Sequence, residues 1–257
     1  MLLSSYSFCC LVLIAFVAYH YYLAENLLAY ADSEKVLGIN INTHFSFNEH
    51  CDIIISKANQ KFGLLKRTCH FVTDIKRRRI LYLTIVRSQF GHCSPAWRPT
   101  GKTLIDKFEN FQKKCLKWIL REEELSYHSH HTYTIKCRQA NILPLSYRFD
   151  VNDMVLFHNI VCKLIPISLP EYLSLFDGIN PLRVTHLDEL SYVSNVIIRN
   201  TGISNLNKSF FFRSHTLWNS LPYDIRNLKN PTEFNTNLEK HFWDLALKIQ
   251  MKVGRTA

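Results

Sequence analysis

Hydrophobic positions recur at helical spacing through most of the chain after residue 50, which predicts a mainly α fold. Three such stripes in the first half are separated by short polar connections and indicate a three-helix unit at residues 50–125. The predicted helices cover residues 50–67, 74–90 and 102–121. Thr73 is the predicted N-cap of the second helix, with Asp74 in its first turn. Before them, the β-branched run from Val36 to Ile41 predicts one short strand.

The second half, residues 126–257, is also predicted to be a mainly helical region. The pattern predicts helices over residues 149–164, 210–219 and from 231 onward. Pro166 ends the first of these, whereas Asn230 as N-cap and Pro231 at the first helical position mark the start of the last. The four tryptophans fall mostly on apolar stripes, which favours core packing over base stacking.

An apolar segment in residues 1–34 is open to more than one interpretation. Phe8 to Tyr19 is an unbroken apolar run of twelve residues, and it continues less cleanly to Ala24. A membrane-spanning helix needs about 20 apolar residues, so the run is borderline. A secretory signal begins with basic residues, which the first seven positions lack. A membrane or signal segment at residues 8–24 and a buried or foreign stretch are both retained as interpretations.

Positive charge is concentrated in the predicted three-helix unit. Between Lys57 and Arg121 there are sixteen basic and three acidic residues, a net charge of +13 in a chain whose total is +10. Concentrated positive charge is typical of proteins that bind polyanions, although a solvated helix surface is the alternative. The candidate nucleic-acid contacts are Lys57, Lys61, Lys66, Arg67, Lys76, Arg77, Arg78, Arg79, Lys107, Lys113, Lys114, Lys117 and Arg121. Four of them are predicted to share one face of the third helix: Lys107, Lys114, Lys117 and Arg121.

Several classes of chemistry have no matching motif in the chain. The seven glycines are never closer than ten residues, so neither G-x-G-x-x-G nor a P-loop can be written. The eight cysteines contain no C-x-x-C pair, which excludes zinc ribbons and thioredoxin-type motifs and favours reduced thiols. The histidines at positions 128–131 match no standard metal-ligand spacing. No catalytic residue and no metal ligand are assigned.

A series of short motifs runs through residues 35–247. They are Lys35-Val-Leu-Gly-Ile39, His50, Lys57-Ala-Asn-Gln-Lys-Phe-Gly-Leu-Leu-Lys-Arg67, Leu81-Tyr-Leu-Thr-Ile-Val-Arg-Ser88, Ser94-Pro-Ala-Trp97, Phe111-Gln-Lys-Lys114, Trp118, Leu143-Pro-Leu-Ser-Tyr-Arg-Phe149, Asn152-Asp153, Phe210-Phe-Phe-Arg-Ser-His-Thr-Leu-Trp-Asn-Ser-Leu-Pro222 and Phe234 to Trp243. In order and spacing, this series resembles the region after the palm in reverse transcriptases of non-LTR (LINE-like, jockey-type) retrotransposons.

The resemblance implies the thumb and post-thumb part of an RNA-directed DNA polymerase, with residues 35–49 as the remnant of the palm–thumb junction. In that family the catalytic aspartates lie upstream, in an aromatic-Ala-Asp-Asp turn that binds Mg²⁺. Tyr30-Ala31-Asp32-Ser33 has serine where the second aspartate is needed, and it ends two residues before Lys35. We therefore assign no catalytic role to Asp32, expect no cofactor in this chain, and expect a truncated polymerase that does not polymerise alone.

The charge and the resemblance agree on a partner, an RNA/DNA template–primer duplex gripped through its phosphates. Such a partner implies a nuclear or cytoplasmic location. The oligomeric state is left open. The alternative class is a single-pass membrane-anchored or secreted protein that uses residues 8–24. The acidic flank after that segment favours export of the remainder of the chain.

Overall fold

The computed structural model describes residues 22–23, 26–27, 33–42, 46–122, 133–170, 173–175, 196–198 and 209–253. The interpretations of residues 8–21, of Asp32 and of the histidines at 128–131 lie outside these residues. Over the described ranges the protein is mainly α-helical, as the sequence predicts. Two compact units divide the chain, residues 1–146 and residues 147–257. Residues 133–146, which the sequence pattern assigns to the C-terminal region, pack in the first unit.

Three helices of the first unit match the predicted stripes in position, and two further helices, at residues 94–97 and 133–139, were not predicted. They are α1 (Asn48–Thr68), α2 (Ile75–Leu81), α3 (Ser94–Trp97), α4 (Lys102–Ile119) and α5 (Tyr133–Gln139), and α6 (Leu145–Val161) begins at the end of the unit. The helix predicted over residues 74–90 is α-helical only in its first part. After α2 the chain forms a π-helical turn (Tyr82–Val86) and then a 3-10 turn (Arg87–Phe90). Asp74, rather than Thr73, is the N-cap of α2, because its carboxylate accepts the Lys76 backbone N–H at 3.2 Å.

A hairpin replaces the single strand predicted at residues 36–41. Strand β3 (Ser33–Val36) pairs antiparallel with β4 (Ile39–Asn42), after a short ladder of β1 (Tyr22–Leu23) and β2 (Asn26–Leu27). The predicted run is extended on both sides of a turn and divided by it, because Leu37 and Gly38 both adopt positive φ, 50° and 89°, as a two-residue hairpin turn requires. The backbone N–H of Asn40 donates to Nδ1 of His50 at 3.2 Å, which fastens β4 to the start of α1.

Aromatic side chains form the core of the first unit. Phe62 of α1 meets Phe111 and Trp118 of α4 edge-to-face, with ring centroids 6.1 and 5.9 Å apart. On the other side of this cluster, Phe90 contacts both Phe108 and Phe111 edge-to-face, at 5.2 and 5.6 Å. Such pairs add about 0.5–1.5 kcal/mol each beyond the area they bury. The stripes of α1 and α4 therefore meet in one core. Trp97 and Trp118 are buried in the first unit and Trp218 in the second, as expected.

The second unit is built around Trp218. Its elements are the remainder of α6, the two-stranded ladder of β5 (Leu173–Leu175) and β6 (Val196–Ile198), α7 (Phe210–Ser220), α8 (Tyr223–Arg226) and α9 (Pro231–Val253). The His158 ring stacks on Phe234 with centroids 4.0 Å apart and donates through Nε2 to the Leu228 carbonyl at 2.6 Å. Asn230 caps α9 through the Thr232 N–H at 2.9 Å, and Pro231 is its first residue, as predicted.

Candidate nucleic-acid interface

The candidate cations of the first unit differ in how far they reach solvent. Eight are exposed: Lys57, Arg67, Lys76, Arg77, Lys107, Lys113, Lys114 and Lys117. Four are half-buried: Lys61, Lys66, Arg79 and Arg121. Arg78 is fully buried. The set therefore covers several surfaces and one interior position, and does not form a single face.

Arg78 is a correction to the candidate set, because its guanidinium holds the core together and does not reach the surface. It donates to the carbonyl of Trp118 at 2.7 Å and to the carbonyl of Val72, and it lies 4.8 Å from the centroid of the Trp118 indole. Buried cations persist only where hydrogen bonds and ring faces replace water. Arg78 comes four residues before the buried Tyr82, so helical spacing places the two on the same inward side of the chain.

The predicted basic face of the third helix is shorter than expected. Lys107, Lys114 and Lys117 are exposed on α4, and their spacing of seven and three residues keeps them on one side of it. Arg121 lies beyond the end of α4 at Ile119 and has a positive φ of 61°. It is therefore not a member of this helical face, and the prediction of four cations in one row was wrong.

Lys66 of α1 approaches the row on α4 from the neighbouring helix. Its ammonium lies 5.9 Å from the centroid of Phe62. Phe62 itself packs against Phe111 and Trp118 of α4, so Lys66 lies on the side of α1 that faces α4. We call the group Lys66, Lys107, Lys114 and Lys117 the α1–α4 basic surface. It joins cations from two helices that are distant in sequence.

Other cations of the set are engaged by neighbours or lie elsewhere. Lys107 forms an ion pair with Asp52 of α1 at 2.7 Å, so its charge is partly neutralised. Arg79 donates to the carbonyl of Asn141 at 3.1 Å, and the Lys113 ammonium lies 5.4 Å from the Tyr133 ring. Lys57 is nine residues from Lys66, which places the two on opposite sides of α1.

Glu109, one of the three acidic residues between Lys57 and Arg121, has its carboxylate turned inward. It accepts the backbone N–H groups of Ser146 and Leu145 at 2.8 and 3.3 Å, at the start of α6, and it accepts the hydroxyl of Tyr133. A carboxylate at a helix N-terminus complements the helix dipole. Glu109 therefore stabilises the fold, and its carboxylate is committed to the start of α6.

A buried polar network that sequence reasoning missed lies behind the α1–α4 basic surface. Gln112 is fully buried; it donates to the Leu143 carbonyl at 3.1 Å and to the Tyr133 hydroxyl at 2.9 Å, and it accepts from the Tyr82 hydroxyl at 3.1 Å. Burial raises the pKa of both tyrosines, which keeps them neutral donors. The sequence signal for this network is a glutamine inside the apolar stripe of α4. The network holds α4 and α5 in place and so supports the surface.

Burial controls the protonation of two thiols and one histidine in the described part of the first unit. Burial raises the pKa of Cys51 and of Cys137 to about 12, so both stay protonated at neutral pH. Burial, together with the charges of Lys57 and His92, lowers the pKa of His50 to about 4. Across the described ranges, no three His, Cys, Asp or Glu side chains are grouped so that they could hold a metal ion.

None of the helices in the described part of the chain has the length and apolar character needed to cross a membrane. No protein-family model, curated protein sequence or solved structure matches the chain. The relation to retrotransposon reverse transcriptases therefore depends on the motifs of the sequence alone.

Proposed function

We propose that the chain is the thumb and post-thumb part of a non-LTR retrotransposon reverse transcriptase and binds a template–primer duplex through its phosphates. The observation that carries the proposal is the α1–α4 basic surface, in which the exposed lysines of α4 are joined by Lys66 from the helix that packs against α4 through Phe62. Cations from two rigid elements match the spread of phosphates along a duplex better than a single flexible basic run does.

The electrostatics of the first unit support this proposal. Glu109 is satisfied by internal donors, and Asp74 caps α2 while lying 3.8 Å from Arg77. Eight of the candidate cationic side chains, on α1, α2 and α4, are exposed at the surface, where each neutralised phosphate releases counterions and strengthens binding. Lysines act as point charges toward phosphate and do not read base sequence, so the surface is suited to binding a duplex of any sequence.

The proposed role is binding without catalysis in this chain. Polymerisation by two metal ions needs carboxylates that share the ions, and those carboxylates would belong to a palm supplied elsewhere. A nucleic-acid partner implies a nuclear or cytoplasmic location, which belongs to the same proposal.

The experiment is a titration of the purified full chain into fluorescently labelled primed duplexes of two unrelated sequences, followed by anisotropy. We expect similar affinities for both sequences and a steep loss of affinity between about 50 and 200 mM salt. A strong preference for one sequence, or an affinity that does not change with salt, would contradict binding through the backbone phosphates. An acidic protein of matched size serves as the control for nonspecific anisotropy changes.

A further inference from the structure

Phe71, in the turn between α1 and α2, places an aromatic ring in solvent. It is 71% exposed, the largest exposure of any large hydrophobic side chain among the described residues. Its ring meets the edge of the His70 imidazole, with centroids 5.7 Å apart and planes at 85°. This contact leaves most of the Phe71 ring open to a ligand.

The turn that carries Phe71 is fastened to the core. The N–H of Val72 donates to the Cys69 carbonyl at 3.2 Å, and the carbonyl of Val72 accepts from Arg78. Arg78 also donates to the Trp118 carbonyl, so its guanidinium links Val72, the residue after Phe71, to α4. The backbone next to the ring is therefore anchored before any ligand arrives, which lowers the backbone entropy lost on binding.

Exposed cations flank Phe71 in the sequence. Arg67, Lys76 and Arg77 are exposed within six positions of it, and the acidic residue of the turn, Asp74, lies 3.8 Å from Arg77. An exposed flat ring beside several cations provides a stacking surface for a base and charge for the adjoining phosphates. Ile75 and Ile80 are exposed on α2 as well, so a test has to separate stacking from simple apolar contact.

We infer that Phe71 is a stacking platform for an unpaired nucleotide base, with Arg67, Lys76 and Arg77 positioned for the flanking phosphates. The inference builds on the proposed function and extends it from the duplex to a single-stranded end of the template–primer. A base is the occupant best matched to this site because every base has a π-face and carries a phosphate.

The experiment compares a blunt duplex with the same duplex bearing a short single-stranded overhang that contains 2-aminopurine. The full-length protein is tested as wild type and as the Phe71→Trp, Phe71→Leu and Phe71→Ala variants. We expect wild type and Phe71→Trp to bind the overhang duplex about ten-fold more tightly than the blunt one and to quench the fluorescent base. Phe71→Leu and Phe71→Ala should both bind the two duplexes equally. Leu164→Ala, which truncates an exposed apolar residue of the second unit, is the matched control and should retain the preference.

Each other outcome overturns the inference in a recognisable way. If wild type does not prefer the overhang, or Phe71→Ala keeps the preference, Phe71 is not a stacking platform, while salt-dependent duplex binding leaves the proposed function intact. If Phe71→Leu keeps the preference, the contact is apolar and not a stack. If neither duplex binds, the proposed function and the inference both fail. Circular dichroism of each variant verifies that the helices are retained.

Discussion

The guanidinium of Arg78 donates a hydrogen bond to the backbone carbonyl of Trp118 at 2.7 Å and lies 4.8 Å from the centroid of the same residue's indole ring. The contact joins the first turn of α2 to the last turn of α4, 40 residues apart in the chain. One arginine of a four-residue basic run is thereby part of the core, whereas its neighbour Arg77 has a side chain that is 79% exposed.

We expect Arg78→Met to lower the free energy of unfolding by about 2–4 kcal/mol, because the carbonyls of Val72 and Trp118 both lose a charged donor. The Trp118 carbonyl keeps the Arg121 N–H as a neutral donor. Arg77→Met removes the same charge at the surface and should change the free energy by less than about 0.5 kcal/mol. Urea denaturation of both variants measures the difference. Equal stability of the two variants would show that Arg78 is not a structural residue.

Glu109→Gln should destabilise the first unit by about 1–3 kcal/mol. The carboxylate accepts two N–H groups at the start of α6 and the Tyr133 hydroxyl, and an amide offers one acceptor oxygen and no charge for the helix dipole. Asp106→Asn, at an exposed position three residues earlier on α4, is the control and should be nearly neutral. Thermal unfolding compares the pair, and a loss as large in Asp106→Asn would refute the capping role of Glu109.

Stability should fall as the pH is lowered from 7 to 5. The pKa of His50 is about 4 in the folded chain against 6.5 ordinarily, so the unfolded chain takes up a proton in this window that the folded chain does not. At pH 5, His50 should therefore lower the free energy of unfolding by about 1–2 kcal/mol relative to pH 7. As the pH rises above 6.5 this loss of stability disappears, because the imidazole is then neutral in both states.

Urea denaturation at pH 7 and pH 5 measures this effect in wild type and in His50→Gln, which has no titrating ring. The difference in stability between the two pH values should be smaller in His50→Gln, and His70→Gln, at an exposed position, serves as the control. His158 of the second unit, whose pKa is also lowered by burial, should supply part of the remaining dependence. An unchanged pH dependence in His50→Gln would contradict the assignment.

The full chain should not extend a primer. We expect no product when it is incubated with a primed RNA template, dNTPs and Mg²⁺, because the proposed thumb region carries no paired aspartates for the metal ions. Gel analysis of the labelled primer measures this directly. Extension that survives Asp32→Ala would place a polymerase active site elsewhere in the chain.

The sequence was sufficient to predict the helices whose apolar residues repeat over several turns. The stripe of Phe108, Cys115 and Leu116 is buried on α4, and the signals at Asn230 and Pro231 mark the start of α9. These features depend on neighbours three or four residues apart, and so they are visible in the sequence.

Features set by distant residues were not predictable in the same way. The inward position of Arg78 depends on Trp118, and that of Glu109 depends on Ser146, 37 residues away. The hairpin at Leu37 and Gly38 was missed because its turn lacks the usual Asn-Gly pair. For the candidate interface, the sequence identified the cations, and the structure was needed to separate the α1–α4 basic surface from the other faces.

The most direct measurement of the central claim is the salt dependence of duplex binding in two triple variants of equal charge. One replaces Lys66, Lys114 and Lys117 of the α1–α4 basic surface with glutamine. The other does the same with Lys229, Lys240 and Lys248, which are exposed in the second unit. Because each variant loses three positive charges, any effect of net charge alone is the same in both.

With a B-DNA duplex, each phosphate contact contributes about 0.9 to the slope of log K against log salt. We predict that the slope of the first variant is smaller in magnitude than that of wild type by about 2.7, the sum for three contacts. The slope of the second variant should change by less than about 0.9, the value for one phosphate contact. Equal slopes in the two folded variants would contradict the account, because the α1–α4 basic surface would then be a solvated helix surface without a nucleic-acid partner.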